Sequence, residues 1–240
     1  MEFTIFSDSS LLNKKALDLV VGEVAARPGL LFCAATGNSP GLLYESMVRE
    51  SALNPSMFRR MRLIKLDEWW GMPPDDPRTC EVYLQQKLIG PLGISHDRYI
   101  SFAPDAPDAE KECRRVGSAL EGEGPIGLAV LGLGKNGHLG LNEPGPFLNP
   151  GCHRATLSPE TRKHPMLGHP GAAPESGMTL GMKDILSSEM ILLIVSGSGK
   201  EKALQQLRSG KITTECPATF LWTHPRVHCL VNTRNMVTRS

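Results

Sequence analysis

The stretch Ile126–Gly145, IGLAVLGLGKNGHLGLNEPG, joins a short uncharged run to a glycine-rich turn that carries an amide, a histidine and a carboxylate. Ile126 to Leu133 is continuously apolar, the pattern of a strand covered on both faces in a mostly parallel sheet. The turn therefore begins at a strand's carboxyl end, the edge of an open α/β sheet where ligands bind. Gly132, Gly134, Gly137 and Gly140 permit backbone angles closed to other residues and let a ligand come near the main chain. Glu143 follows His138 closely enough to fix the tautomer and orientation of the imidazole, which suits a histidine that shuttles protons near neutral pH. Asn136 can donate and accept hydrogen bonds without competing for that proton. Glycine clusters after strands also make plain tight turns, and a lone histidine is often packed or solvated; the combination is what points to chemistry.

Working outward, the 240 residues suffice for a full core, and alternating strand and helix patterns predict one α/β domain over 1–240. The formal net charge is +1 with the basic residues scattered, so neither nucleic acid nor an anionic membrane is an expected partner. No apolar run approaches the roughly 20 residues that span a bilayer, and MEFTIFSDSS lacks the features of a signal peptide. A cytoplasmic location is expected. Cys33, Cys80, Cys113, Cys152, Cys216 and Cys229 form no CxxC pair, which argues against a zinc site and, in a reducing compartment, against disulfides.

Strands are predicted at Glu2–Phe6, Leu30–Ala35, Met61–Leu66, Arg98–Phe102, Met190–Val195 and Val227–Val231, in addition to the central one. Helices are predicted from the Ser7–Ser10 caps to about Ala26, over GLLYESMVRE, over Thr79–Ile89, over Asp108–Glu121 and over EKALQQLRSG. Thr36-Gly37-Asn38-Ser39 at a helix start offers free backbone N–H groups and a favourable dipole end for a phosphate, though Asn-Ser-Pro is equally a bare helix cap. Asp67 and Glu68 end a strand beside Trp69 and Trp70. Partial desolvation there would raise a carboxylate's pKa and make it a better base toward carbon, while one of the two acids is expected merely to cap the next segment. Pro150–Pro174, rich in Pro, Gly and His, is read as a long surface segment with at most one short helix, a possible lid. Its His153, Arg154, Arg162, Lys163, His164 and His169 could meet an anion, but for most a solvated role is expected. Lys200, at the start of a late helix, is a candidate phosphate partner.

Four stretches in this order, AATGNSPGLLY, LIKLDEWWG, LGLGKNGHLGLNEPG and IVSGSGKEKAL, resemble the glucosamine-6-phosphate deaminase/isomerase family. KNGHLGLNEPG and TLGMKDIL look most like its galactosamine-6-phosphate branch. The resemblance implies a modified Rossmann-like three-layer α/β sandwich with a mostly parallel central sheet, a sugar-phosphate substrate, no metal or other cofactor, and room for a homo-oligomer. It implies galactosamine 6-phosphate going to tagatose 6-phosphate plus ammonia, or glucosamine 6-phosphate to fructose 6-phosphate plus ammonia, a hydrolase in net stoichiometry. Asp67 matches the enolisation base; His138, assisted by Asn136 and Glu143, matches the ring-opening group; Thr36, Gly37, Asn38, Ser39 and Lys200 match the phosphate site. Two departures stand out. Asn136 takes a position where members carry Asp or Asn, and His153 and Met166 fall where some members have phosphate- or effector-gripping arginines. The rival readings are a 6-phosphogluconolactonase, whose related loop lacks the Asn142-Glu143-Pro144 continuation, and a non-catalytic sugar-phosphate sensor, which need not keep acid and base together.

Overall fold

In the computed structural model, which describes residues 1–168 and 173–234, the decisive stretch forms a central strand, β6 (Ile126–Gly132). The other strands of its sheet are β1 (Glu2–Phe6), β2 (Leu31–Ala34), β3 (Arg62–Lys65), β5 (Tyr99–Ile100), β9 (Ile191–Val195) and β10 (Val227–Asn232). They run in the order β1-β10-β9-β6-β2-β3-β5, with every neighbouring pair parallel. Alternate side chains of these apolar runs feed two cores. Phe32, Ala34, Leu128 and Val130 pack with α1 (Ser9–Ala26) and α2 (Asn38–Leu53), whereas Leu31, Cys33, Ala129 and Leu131 pack on the opposite side. There they meet α5 (Ala109–Glu123), α6 (Met182–Leu186) and α7 (Glu201–Arg208). Helices on both faces are what a sheet of such continuous runs requires.

Local chemistry sets the helix limits. The Asp8 carboxylate accepts from Ser10 N–H at 2.6 Å and caps α1, which buries Leu12, Ala16, Val20 and Val24 at four-residue spacing. Burying Leu12, Val20 or Val24 contributes about 1.5 to 3 kcal/mol each. The predicted Thr79–Ile89 helix is broken up: α3 (Cys80–Leu84) loosens into a π-helical turn, Gln85–Ile89, before the short α4 (Gly90–Leu92). Among the described residues no helix is long and apolar enough to cross a membrane.

A second sheet was not foreseen. β4 (Asp67–Trp69), β8 (Ser176–Thr179) and β7 (His153–Thr156) form an antiparallel order β4-β8-β7. Pro150–Pro174, expected to be a long surface segment with a short helix, is corrected in that it contains the strand β7 as well as two 3₁₀ turns, Thr161–Lys163 and Pro165–Leu167. The sequence HRAT buries only Ala155 and carries no apolar alternation, so pairing with β8 rather than local propensity makes it a strand. His169 and the chain's last six residues lie outside the described residues.

The parallel order places the carboxyl ends of β2, β3, β6 and β9 side by side. The segments that follow them carry Thr36–Ser39, Asp67, Asn136–Glu143 and Lys200.

Candidate active site

The turn after β6 holds His138 by close packing. The imidazole lies against Gly134, where a β-carbon would overlap the ring, and Gly137 has φ +90° and a β-carbon there would run into Cys216. His138 N–H donates to Asn136 Oδ1 at 3.2 Å, and Asn136 Nδ2 donates to Glu143 Oε2 at 2.7 Å. Glu143 Oε2 lies 3.6 Å from His138 Nδ1, and the Thr161 hydroxyl is nearer, at 3.2 Å. Ser158 completes the network: its hydroxyl donates to Thr161 Oγ1 at 3.1 Å and accepts from Asn136 Nδ2 at 3.3 Å, while its N–H faces Glu143 Oε1 at 3.4 Å. Burial alone would push the Glu143 carboxyl up. The adjoining His138, through hydrogen bonding and charge, outweighs it together with Thr161 and Asn136, and holds the carboxyl at about 2.

The two acids after β3 have separate tasks. Glu68 is fully buried, and its oxygens accept from the N–H groups of Trp69, Cys80 and Glu81 at 2.8 to 2.9 Å, anchoring the start of α3. It also takes one of three contacts from the buried Lys65 ammonium, whose others go to Glu81 at 2.7 Å and the Phe102 carbonyl at 2.8 Å. The expectation that one acid would be a cap thus falls on Glu68. Asp67 is only 9% exposed, and its nearest donor among the described residues is the Cys80 thiol at 3.9 Å, beyond a strong hydrogen bond. Burial, reinforced by the Glu68 charge, raises the Asp67 carboxyl to about 7, against the opposing charges of His138 and Lys65. Cys80 Sγ also lies 3.3 Å from Thr36 Oγ1, linking Asp67 to the loop after β2.

That loop turns into α2 through Gly37, at φ +99° and without a side-chain cap; Asn38 is the exposed first helical residue. Ser39 Oγ accepts from Lys200 Nζ at 3.0 Å and from Ser196 Oγ at 3.4 Å. Burial, then the neighbouring Lys135 charge, lowers the Lys200 ammonium to about 8. The open amino end of a helix beside a desolvated cation is a place for an anion.

Of the described basic residues between Pro150 and Pro174, His164 reaches this cleft, its ring 3.6 Å from where a β-carbon on Gly37 would stand. Arg154 instead stacks on Trp70 at 4.4 Å and donates to Ser176, and His153 Nδ1 pairs with the Gly151 carbonyl. Arg162 and Lys163 occupy the 3₁₀ turn that presents Thr161. The sequence reading missed Ser158, Thr161, Cys80 and Lys135. Only Lys135, inside the glycine turn, had a signal that could have drawn notice. A cavity of about 270 Å³ at the opposite end of the sheet is lined by Arg27, Arg62 and Glu189, each of them in an ion pair.

With these elements in place, the class is defined: the family model for glucosamine-6-phosphate isomerases/6-phosphogluconolactonase matches residues 12–229, and the chain belongs to that family. AgaI of Escherichia coli (strain K12), a deaminase by provisional assignment, is 41% identical over 222 residues, covering 92% of this chain and 88% of its own. The glucosamine-6-phosphate deaminase of Geobacillus sp. (strain WCH70) is 33% identical over 220 residues, 90% of this chain and 87% of its own. Among solved structures, a monomeric glucosamine-6-phosphate deaminase of the NagB superfamily superimposes with TM-score 0.93 at 28% identity, covering 98% of both chains. A 6-phosphogluconolactonase from Trypanosoma brucei reaches TM-score 0.76 at 17% identity over 97% of this chain and 96% of its own, a likeness of fold alone.

Proposed function

We propose that this chain isomerises and deaminates a hexosamine 6-phosphate, releasing ammonia and a ketose 6-phosphate. The observation that carries the reading is the pairing, in one cleft, of a carboxyl raised to about 7 with an imidazole held by a strongly ionised carboxylate, beside an anion-receptive helix end. The substrate is mostly a closed pyranose. His138 would move a proton between the anomeric hydroxyl and the ring oxygen, with Asn136 and Glu143 setting the imidazole's orientation. Asp67 would then remove the proton on C2 of the open aldose. Protonation of the enolamine at C1 gives an imine at C2; water adds there and ammonia leaves, so the net reaction consumes one water. Thr36, Gly37, Asn38 and Ser39 would receive the phosphate at the start of α2, with Lys200 supplying charge.

The relatives cited by substrate act on glucosamine 6-phosphate, whereas KNGHLGLNEPG and TLGMKDIL favour the galactosamine epimer; our reading is that galactosamine 6-phosphate is the better substrate. A side-by-side assay of ammonia release from both hexosamine 6-phosphates, with acid release from 6-phosphogluconolactone as comparison, decides the matter. Ammonia from neither sugar, with hydrolysis of the lactone, would sink the reading.

A further inference from the structure

We propose that His164 is a substrate-binding residue whose Nε2–H donates to the sugar's phosphate, opposite Lys200; this rests on the function proposed above. The tautomer follows from local geometry. Nδ1 accepts the Met166 N–H at 3.3 Å, so in the neutral ring the proton sits on Nε2. Burial, with the charges of His138, Lys200 and Lys135, lowers the ring to about 4, so it is neutral at physiological pH. Nε2 has no hydrogen-bond partner among the described residues, and it is the ring atom nearest Gly37. The ring is set from behind by Trp69, with centroids 6.0 Å apart.

The charge balance asks for an anion at this point. The basic groups of Lys200, His138 and Lys135 converge on the neutral His164 ring. Glu143 answers His138 and Glu160 lies 3.9 Å from Lys135, but among the described residues Lys200 meets only the Ser39 hydroxyl. A partly buried cation without a counter-charge, facing an unused donor across a glycine, is arranged for a ligand that brings several acceptor oxygens. The segment from Ser158 to His164 then serves both ends of the substrate. Thr161 touches the imidazole of His138, and three residues later, past one 3₁₀ turn, His164 reaches the phosphate.

The test is calorimetric binding of galactitol 6-phosphate and glucitol 6-phosphate, open-chain analogues that cannot react, each compared with its unphosphorylated alditol. His164→Phe keeps a ring against Trp69 but has no donor; His164→Gln restores an N–H. His164→Phe should weaken the phosphorylated ligands about tenfold, the loss for one hydrogen bond to a charged acceptor, and leave the free alditols unchanged. His164→Gln should recover most of that loss, which a merely structural ring would not allow. If His164→Phe binds like wild type while Lys200→Ala loses affinity, the phosphate site stands and His164 is idle. If His164→Phe weakens phosphorylated and free ligands alike, the phosphate role is overturned. If the wild type itself does not prefer the phosphorylated alditols, the function proposed above falls, and this inference with it.

Discussion

Asp67 and Glu143 are both carboxylates withdrawn from water in one cleft, yet their environments drive them in opposite directions, to about 7 and about 2. Burial raises both. The difference lies in what replaces the lost water: around Glu143, amide and hydroxyl groups and the His138 imidazole, and around Asp67, one distant thiol with Glu68's charge close by. Desolvation without donors makes a proton acceptor. Desolvation with donors makes a fixed charge that orients its neighbour. A single cleft thereby holds one carboxyl poised to take up a proton near neutral pH and one stable anion beside an imidazole.

The sharpest way to break this contrast is Asp67→Asn, which should cut turnover by about 10³- to 10⁴-fold while leaving substrate affinity nearly intact. Solvent deuterium exchange at C2 should vanish with it; exchange near the wild-type rate would reject the assignment. Glu143→Gln should cost less, about 10²-fold, and mainly with the closed sugar. The reverse reaction begun from open-chain ketose and ammonia should suffer much less, and equal losses both ways would argue against a ring-opening role for the His138 side. Thr161→Val removes one hydroxyl from the imidazole and should slow the closed-sugar reaction about three- to tenfold. No change there would mean that Glu143 and Asn136 suffice.

Melting curves against pH test the same contrast, because each pKa shift ties stability to pH with a sign set by its direction. The raised Asp67 pKa means that wild type loses stability as pH climbs from about 4 through about 7. Asp67→Asn should therefore melt above wild type at pH 8, with the gain fading toward pH 4. The depressed Glu143 pKa contributes stability above about 4.5 that is lost as pH falls toward 2. Glu143→Gln should melt below wild type at pH 7, with the gap closing in acid. Shifts of the same sign in both variants would show that packing, not ionisation, governs them.

The sequence declares most of the seven-stranded sheet, because β2, β6 and β9 are continuous apolar runs and a strand buried on both faces announces itself locally, whereas β1 and the two-residue β5 are only partly buried. It likewise determined the turn from Asn136 to Glu143, whose partners lie within seven residues of one another and whose contacts follow from spacing. Long-range packing sets the rest. Adjacent Asp67 and Glu68 look alike in sequence; β4 leaves the main sheet to pair with β8, and Glu68 there meets Lys65 and the start of α3 while Asp67 faces the distant Cys80 thiol. β7 has too little apolar character to be seen before its partner is known. Thr161 and His164 gain meaning only when their segment crosses the cleft, since a hydroxyl or imidazole in a polar stretch carries no periodic signal. Burial patterns are written in a few neighbouring residues; the company a polar side chain keeps is set by chain crossings that no short window contains.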